Sequence, residues 1–311
     1  MGKPFAILVD GACDLTMEEC EARNIVMVPS HVICAGGDEF LCHNRWDVIS
    51  KEDFYAALRR DPGAYTTSPA NAEEFRAAME PLIREGRSVI CIAISTGISG
   101  TLDFMTQAVR EIRETWPGAD IRLVDSLRYS IALGMLALKA ADLRDAGKSV
   151  DETCREIEEI KSTLHQAGWL DDLSFVAKKG RLTHAKAFFG SMAGVKPIGE
   201  FDYNGLTTVI GKARGQKQAY AALLTYIEKT GVALQDQDVV IAQTNRLPQA
   251  EAYRDMIAER FHPRSVRIVD VFPPCGINIG PGLMAAYYYG APISEGLERE
   301  RAILTQALEA K

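Results

Sequence analysis

Val89-Ile90-Cys91-Ile92-Ala93-Ile94-Ser95-Thr96-Gly97-Ile98-Ser99-Gly100-Thr101 joins an unbroken apolar run to an uncharged loop carrying four hydroxyls and two glycines. An apolar run of this length reads as a buried strand, and the 3.6-residue periodicity from Leu102 to Thr115 reads as a helix. Ser99 then falls near the N-terminus of that helix, where free backbone N–H groups and the helix dipole favour an anion. Taken alone, the stretch is an ordinary strand-to-helix turn with a serine cap. Its weight comes from repetition. Phe5-Ala6-Ile7-Leu8-Val9 runs into Asp10-Gly11-Ala12-Cys13-Asp14-Leu15 and a helix from Thr16 to Arg23. Asp120-Ile121-Arg122-Leu123-Val124 ends in Asp125-Ser126 before an Ala/Leu-rich helix from Ile131 to Ala146. Repeated strand–helix units indicate a mostly parallel sheet with helices on its faces, and ligands of such sheets bind at the C-terminal strand ends.

The rest of the first half reads as further strand and helix. Ile25 to Ile33 predicts a second strand pair, Lys51–Arg60 and Asn71–Glu85 predict helices, and Tyr65–Asn71 is a polar connection. A charged helix from Val150 to Gln166 leads into a second half of different composition. There, Leu173–Val176 reads as a strand, Asp202-Tyr203-Asn204-Gly205 as a hairpin turn, and Gln216–Lys229 and Pro248–Phe261 as helices. The fold expected is therefore α/β with two domains. Residues 1–165 form an N-terminal α/β domain with a mostly parallel sheet, and residues 166–311 form a C-terminal α+β domain ending in an amphipathic helix.

With 311 residues, 47% of them hydrophobic, the chain can bury a sizeable core, and its net charge of −7 without a basic block excludes a nucleic-acid footprint. No run approaches the roughly 18 apolar residues of a membrane helix, and no leader peptide is apparent, so a cytoplasmic protein without stable membrane insertion is expected. The seven cysteines are scattered without a C-x-x-C pair, so they are expected to be reduced and no zinc site is expected. Phosphate-loop, dinucleotide-binding and nucleophile-elbow motifs are absent. His43 and His184 sit among loop-like residues as surface or capping groups, and Asp171-Asp172 reads as a solvated turn. The loops thus offer hydroxyl and N–H donors without an evident base or metal, which suits holding a carboxylate or phosphate.

In register along the chain, these segments resemble the DegV family of fatty-acid-binding proteins. Asp10-Gly11-Ala12-Cys13-Asp14-Leu15 is similar to its D-S-x-x-D-L, and Thr67-Ser68-Pro69-Ala70-Asn71 to T-S-Q-P-S. Ser95 to Thr101 matches S-S-x-L-S-G-T, and Asp125-Ser126 through Ser130 and Gly134 resembles D-S-x-x-x-S-x-G-x-G, with Ala132 at the first late glycine. Lys179-Gly180-Arg181-Leu182, Val195-Lys196-Pro197-Ile198 and Gly280-Pro281-Gly282 are similar to G-G-R-I, I-K-P-I and G-P-G. Gly11, Asn71 and Asn278 depart from the pattern, Asn278 standing where the family often has His two residues before G-P-G.

The resemblance implies a carrier, not an enzyme, that buries a long-chain fatty acid between or within its domains and presents the carboxylate to a separate fatty-acid kinase. It needs no cofactor besides that ligand. The implied carboxylate residues are Thr67, Ser68, Ser99, Gly100 and Thr101, with Arg181 and Asn278 in the second half. Ser126 and Ser130 are expected to cap the following helix. Two other readings compete: a dihydroxyacetone-kinase-like phosphoryl-transfer subunit, and a regulatory protein with a degenerate lipid pocket.

Overall fold

Five consecutive buried residues in Ala6–Asp10 and again in Val89–Ala93 need cover on both faces, a condition met by a parallel sheet between helices. A computed structural model describes residues 4–181 and 194–309. In chain order its first elements are β1 (Ala6–Asp10), α1 (Met17–Ala22), β2 (Ile25–Val28), β3 (Ser30–Cys34), β4 (Glu39–Cys42), α2 (Lys51–Arg60), β5 (Tyr65–Ser68) and α3 (Ala72–Arg84). There follow β6 (Val89–Ala93), α4 (Thr101–Thr115), β7 (Ile121–Asp125), α5 (Ile131–Asp145), α6 (Val150–Ile160), β8 (Leu164–Leu170) and α7 (Leu173–Lys178). The remainder comprises β9 (Val195–Phe201), β10 (Thr207–Arg214), α8 (Gly215–Thr230), β11 (Asp238–Gln243), α9 (Leu247–Phe261), β12 (Ser265–Asp270), α10 (Pro273–Ile279), β13 (Leu283–Tyr289) and α11 (Glu298–Glu309).

The chain divides into two compact units. The first uses the chain up to Val48, Gly63–Lys161 and Phe272–Cys275; the second uses Ile49–Pro62, Ser162–Val271 and the chain from Gly276. In the first, β2-β1-β6-β7 form a four-stranded parallel sheet. Phe75 and Met79 of α3 and Met105, Val109 and Ile112 of α4 pack with Leu8 and Cys91 in one apolar cluster. Helix α5, buried over most of its circumference, packs against β1 and β6. A small antiparallel sheet, β4-β3-β5, completes the unit. The expected pairing of the strands at Ile25–Val28 and up to Ile33 does not occur: β2 joins the parallel sheet and β3 the small one. Pro29 lies between them and offers no N–H to a ladder.

The second unit is a six-stranded mixed sheet, β10-β9-β8-β13-β11-β12, in which only β11 and β12 run parallel. Its core is aromatic, with Trp169, Tyr220, Tyr226, Tyr253 and Tyr288 in one cluster. Two stretches differ from expectation. The charged helix stops at Ile160, and Leu164–Leu170 is a fully buried strand. His165 and Gln166 mimic a solvated helix end in sequence, but Glu200 and Tyr287 satisfy them inside the sheet. Leu173–Val176 lies in a short helix, since so brief an apolar run has no decisive period. Pro273 opens another short helix, a position where its missing N–H costs nothing. No helix among the described residues is long and apolar enough to cross a membrane.

Candidate functional site

The order β2-β1-β6-β7 places a topological switch point between β1 and β6, the crevice where open α/β sheets hold ligands. Asp10 ends β1, and its buried carboxylate spans the crevice. Oδ2 accepts from the Ile94 N–H at 2.7 Å and Oδ1 from the Ala12 N–H at 2.9 Å. Burial raises Asp10 from 3.8 to about 6, against the lowering effect of those two N–H donors. A carboxyl whose folded pKa lies above its unfolded value contributes stability below pH 4 that is lost as pH rises through 6. The shift is worth on the order of 3 kcal/mol. Unfolding of an Asp10→Asn variant is therefore expected to lack that component. Parallel slopes for parent and variant between pH 4 and 6 in urea titrations would contradict it.

Beyond β6, Ser95 is buried and anchors the loop. Its N–H donates to the Arg128 carbonyl at 2.9 Å, its Oγ accepts from the Gly97 N–H at 3.1 Å, and its carbonyl accepts from Ile98 and Ser99. Helix α4 starts at Thr101 with Gly100 as N-cap, so Ser99 stands one residue before the cap. Even so, its Oγ accepts from the Thr101 N–H at 3.3 Å and lies 2.8 Å from Thr101 Oγ1. With Thr101 donating both bonds, the Ser99 hydroxyl proton remains available to an anion at a helix N-terminus.

The third strand end is a strained turn. Leu127 and Ser130 have φ of 51° and 57°, unfavourable for residues with a Cβ, and such strain collects at functional sites. Ser126 Oγ both accepts from the Arg128 N–H and donates to the Arg128 carbonyl. Ser130 makes no side-chain cap, contrary to the expected capping role; its hydroxyl donates to Asp14 Oδ2. Asp14, itself at φ 50°, accepts the Phe272 N–H on Oδ1 at 2.8 Å. Asp14 thus gathers Ser130 and the Phe272 backbone, both distant in sequence, through tertiary hydrogen bonds.

Thr67 and Ser68 lie half-buried on the edge strand β5, opposite Val32 and His31, so the expected polar connection is a strand. Asn71, which departs from the family serine, is the N-cap of α3 in a reciprocal pair with Glu74. Gly11 also has a local reason: a Cβ there would stand 2.7 Å from the Ser30 backbone nitrogen. Arg181 and Asn278 belong to the second unit. Arg181 is exposed and donates to the Lys179 carbonyl, while Asn278 is half-buried on α10. Leu182, His184 and the small-residue stretch Ala185–Ala193 lie outside the described residues.

Sequence reasoning missed a charge cluster in the second unit. Asp171, expected in a solvated turn, accepts from Lys196 Nζ at 2.5 Å, Arg246 Nε at 2.6 Å and Trp169 Nε1 at 3.2 Å. Burial raises this carboxyl, but the Lys196 and Arg246 bonds outweigh it and hold it below the ordinary range. The Asp171 N–H donates to the Gly282 carbonyl, and a Cβ on Gly280, which sits at φ +76°, would strike the Phe175 ring. Val195-Lys196-Pro197-Ile198 and Gly280-Pro281-Gly282 are thereby tied to one aspartate, and nothing in their spacing discloses it. Among the described residues, no group of three or more His, Cys, Asp or Glu could hold a metal ion, and the cysteines are unpaired.

Residues 4–291 match the family profile described as an uncharacterised protein, DegV family. A DegV domain-containing protein of Streptococcus pyogenes serotype M1 is 29% identical over 288 residues, spanning 92% of this chain and 98% of its own. A solved DegV fatty-acid-binding protein of Bacillus subtilis is 26% identical with a TM-score of 0.77, over 92% of this chain and 99% of its own. The Fak B3 protein of the Streptococcus pneumoniae fatty acid kinase, solved with linoleic acid, superposes with a TM-score of 0.78 at 20% identity, over 92% and 99%. The match over nearly the whole length, on a parallel sheet whose switch point carries the hydroxyl loop, makes this chain a member of the DegV family.

Proposed function

We propose that this chain binds a long-chain fatty acid, holds its carboxylate with hydroxyls of the first unit, and presents it to a separate fatty-acid kinase. The observation that carries the reading is the uncharged Ser95–Thr101 loop and α4 N-terminus at the β1/β6 switch point, in a family with fatty-acid-binding members. The S. pneumoniae protein, part of a fatty acid kinase, supports the partner. Ser99 donates to the carboxylate, backed by Thr101; the Gly100 backbone leaves room for close approach, and Thr67 and Ser68 supply further hydroxyls. The chain's own role is binding, with phosphoryl transfer left to the partner.

Energetics divide the work. At about 0.8 kcal/mol per buried CH₂, a long acyl chain gains on the order of 10 kcal/mol, so the tail sets affinity. Each head-group hydrogen bond contributes about 1 kcal/mol net, so the hydroxyls set orientation. Native mass spectrometry of protein purified from a bacterial host is expected to show a mass increment equal to a fatty acid. A chain that is empty and also ignores added palmitic and oleic acids would sink the reading. Ser99→Ala is expected to weaken retention about 5- to 10-fold, measured by displacement of a fluorescent fatty acid; a change under twofold removes Ser99 from the site.

A further inference from the structure

We infer that Asp125 is a positioning residue for this head-group site, acting through Thr96 on the loop that carries Ser99; the inference rests on the fatty-acid reading above. Between the buried Ser95 and the start of α4, the loop's side-chain tie to another strand end is Thr96. Its hydroxyl donates to Asp125 Oδ2 at 2.5 Å and its N–H faces Oδ1 at 3.3 Å. Asp125 is itself held: Oδ1 also accepts from the Leu127 N–H at 3.0 Å, and its carbonyl accepts from Lys161 Nζ at 2.8 Å. The same turn receives the Ser95 N–H on the Arg128 carbonyl. The Asp125–Arg128 turn and the Ser95–Thr101 loop therefore form one hydrogen-bonded body, with the carboxylate at its seam.

The charge makes the assignment specific. A carboxylate close to a bound carboxylate repels it, so on charge alone removing Asp125 would tighten binding. A positioning role predicts the opposite sign, because releasing Thr96 lets the short segment Gly97-Ile98-Ser99 leave the presenting geometry. Gly97 follows Thr96 directly, and a residue without Cβ allows the backbone there to turn at little steric cost.

The experiment compares the parent with Asp125→Ala, Asp125→Asn, Thr96→Val and Ser99→Ala. Fluorescent fatty-acid affinity is measured for each, together with the thermal midpoint of the lipid-stripped protein. Asp125→Ala and Thr96→Val are expected to weaken affinity about 10-fold with unfolding midpoints near the parent's. Asp125→Asn, which keeps an oxygen for the backbone donors, is expected to recover most of it. In the Asp125→Ala/Ser99→Ala double variant the two losses are expected to overlap, since one residue works through the other. Unchanged or tighter binding in both Asp125→Ala and Thr96→Val, or fully additive losses, overturns the positioning role while leaving fatty-acid binding intact. A parent that takes up no fatty acid overturns the underlying reading instead. Should Asp125→Ala fail to fold, Thr96→Val decides by the same criterion.

Discussion

Glu200→Ala is expected to destabilise the second unit by about 3–5 kcal/mol, since each buried group left without its hydrogen-bond partner costs about 1–3 kcal/mol. Glu200 on β9 is fully buried, accepts three hydrogen bonds and faces an imidazole nitrogen. Oε1 takes the Gln166 and Phe201 N–H groups at 2.7 and 2.8 Å. Oε2 takes the Tyr226 hydroxyl at 2.8 Å and faces His165 Nδ1 at 2.8 Å. The other imidazole nitrogen, Nε2, lies 2.8 Å from the Ala291 carbonyl, which only accepts, so Nε2 carries a proton. Burial, and then the Glu200 carboxylate, push the Tyr226 hydroxyl far above its ordinary range, which keeps it a donor. Alanine leaves two backbone N–H groups, a tyrosine hydroxyl and a buried imidazole without their acceptor. Glutamine is expected to cost far less. Its oxygen can serve the backbone pair while its NH₂ turns to Nδ1 of an imidazole protonated on Nε2. Urea unfolding followed by far-ultraviolet circular dichroism measures both. A loss below 1 kcal/mol for Glu200→Ala, or equal losses for Ala and Gln, would contradict this account.

Asp14→Ala is the second large effect, expected at about 2–4 kcal/mol from an unpaired buried N–H and hydroxyl together with the loss of a residue type suited to left-handed backbone. The carboxylate is 1% exposed and holds Ser130 from one direction and Phe272 from another. Asn tolerates φ near 50° and keeps one acceptor, so Asp14→Asn is expected to lose about half as much. Because Ser130 opens α5 at φ 57°, hydrogen exchange in the first turn of α5 should accelerate in Asp14→Ala ahead of global unfolding. Unaltered exchange there would assign the aspartate a purely local role.

Much of the architecture was legible because local chemistry and global fold agree. Up to Val9 the β1 run, like β6, has no charged or hydroxyl residue to place at a surface, and their exits are polar in sequence as in structure. Ser99 could be singled out because a hydroxyl before a periodic helix is a local pattern, whereas Thr101 came only with the family register. Elements failed to declare themselves where polarity is satisfied at long range. His165 and Gln166 look like the end of a solvated helix until Glu200 and Tyr287 are placed beside them. Asp171 looks like a turn residue until Lys196 and Arg246 arrive from 25 and 75 residues away.

The chain by itself determined the strand–helix units, the parallel order of chemistry at their ends and the family pattern, all carried by contacts within a few residues or by motif register. Only the tertiary structure decided that β1 and β6 flank the switch point, that Asp10 bridges it, and that Asp125 clasps Thr96 across 29 residues of chain. The physical reason is that a buried carboxylate needs donors, and folding brings those donors from whichever segments end at the same sheet edge.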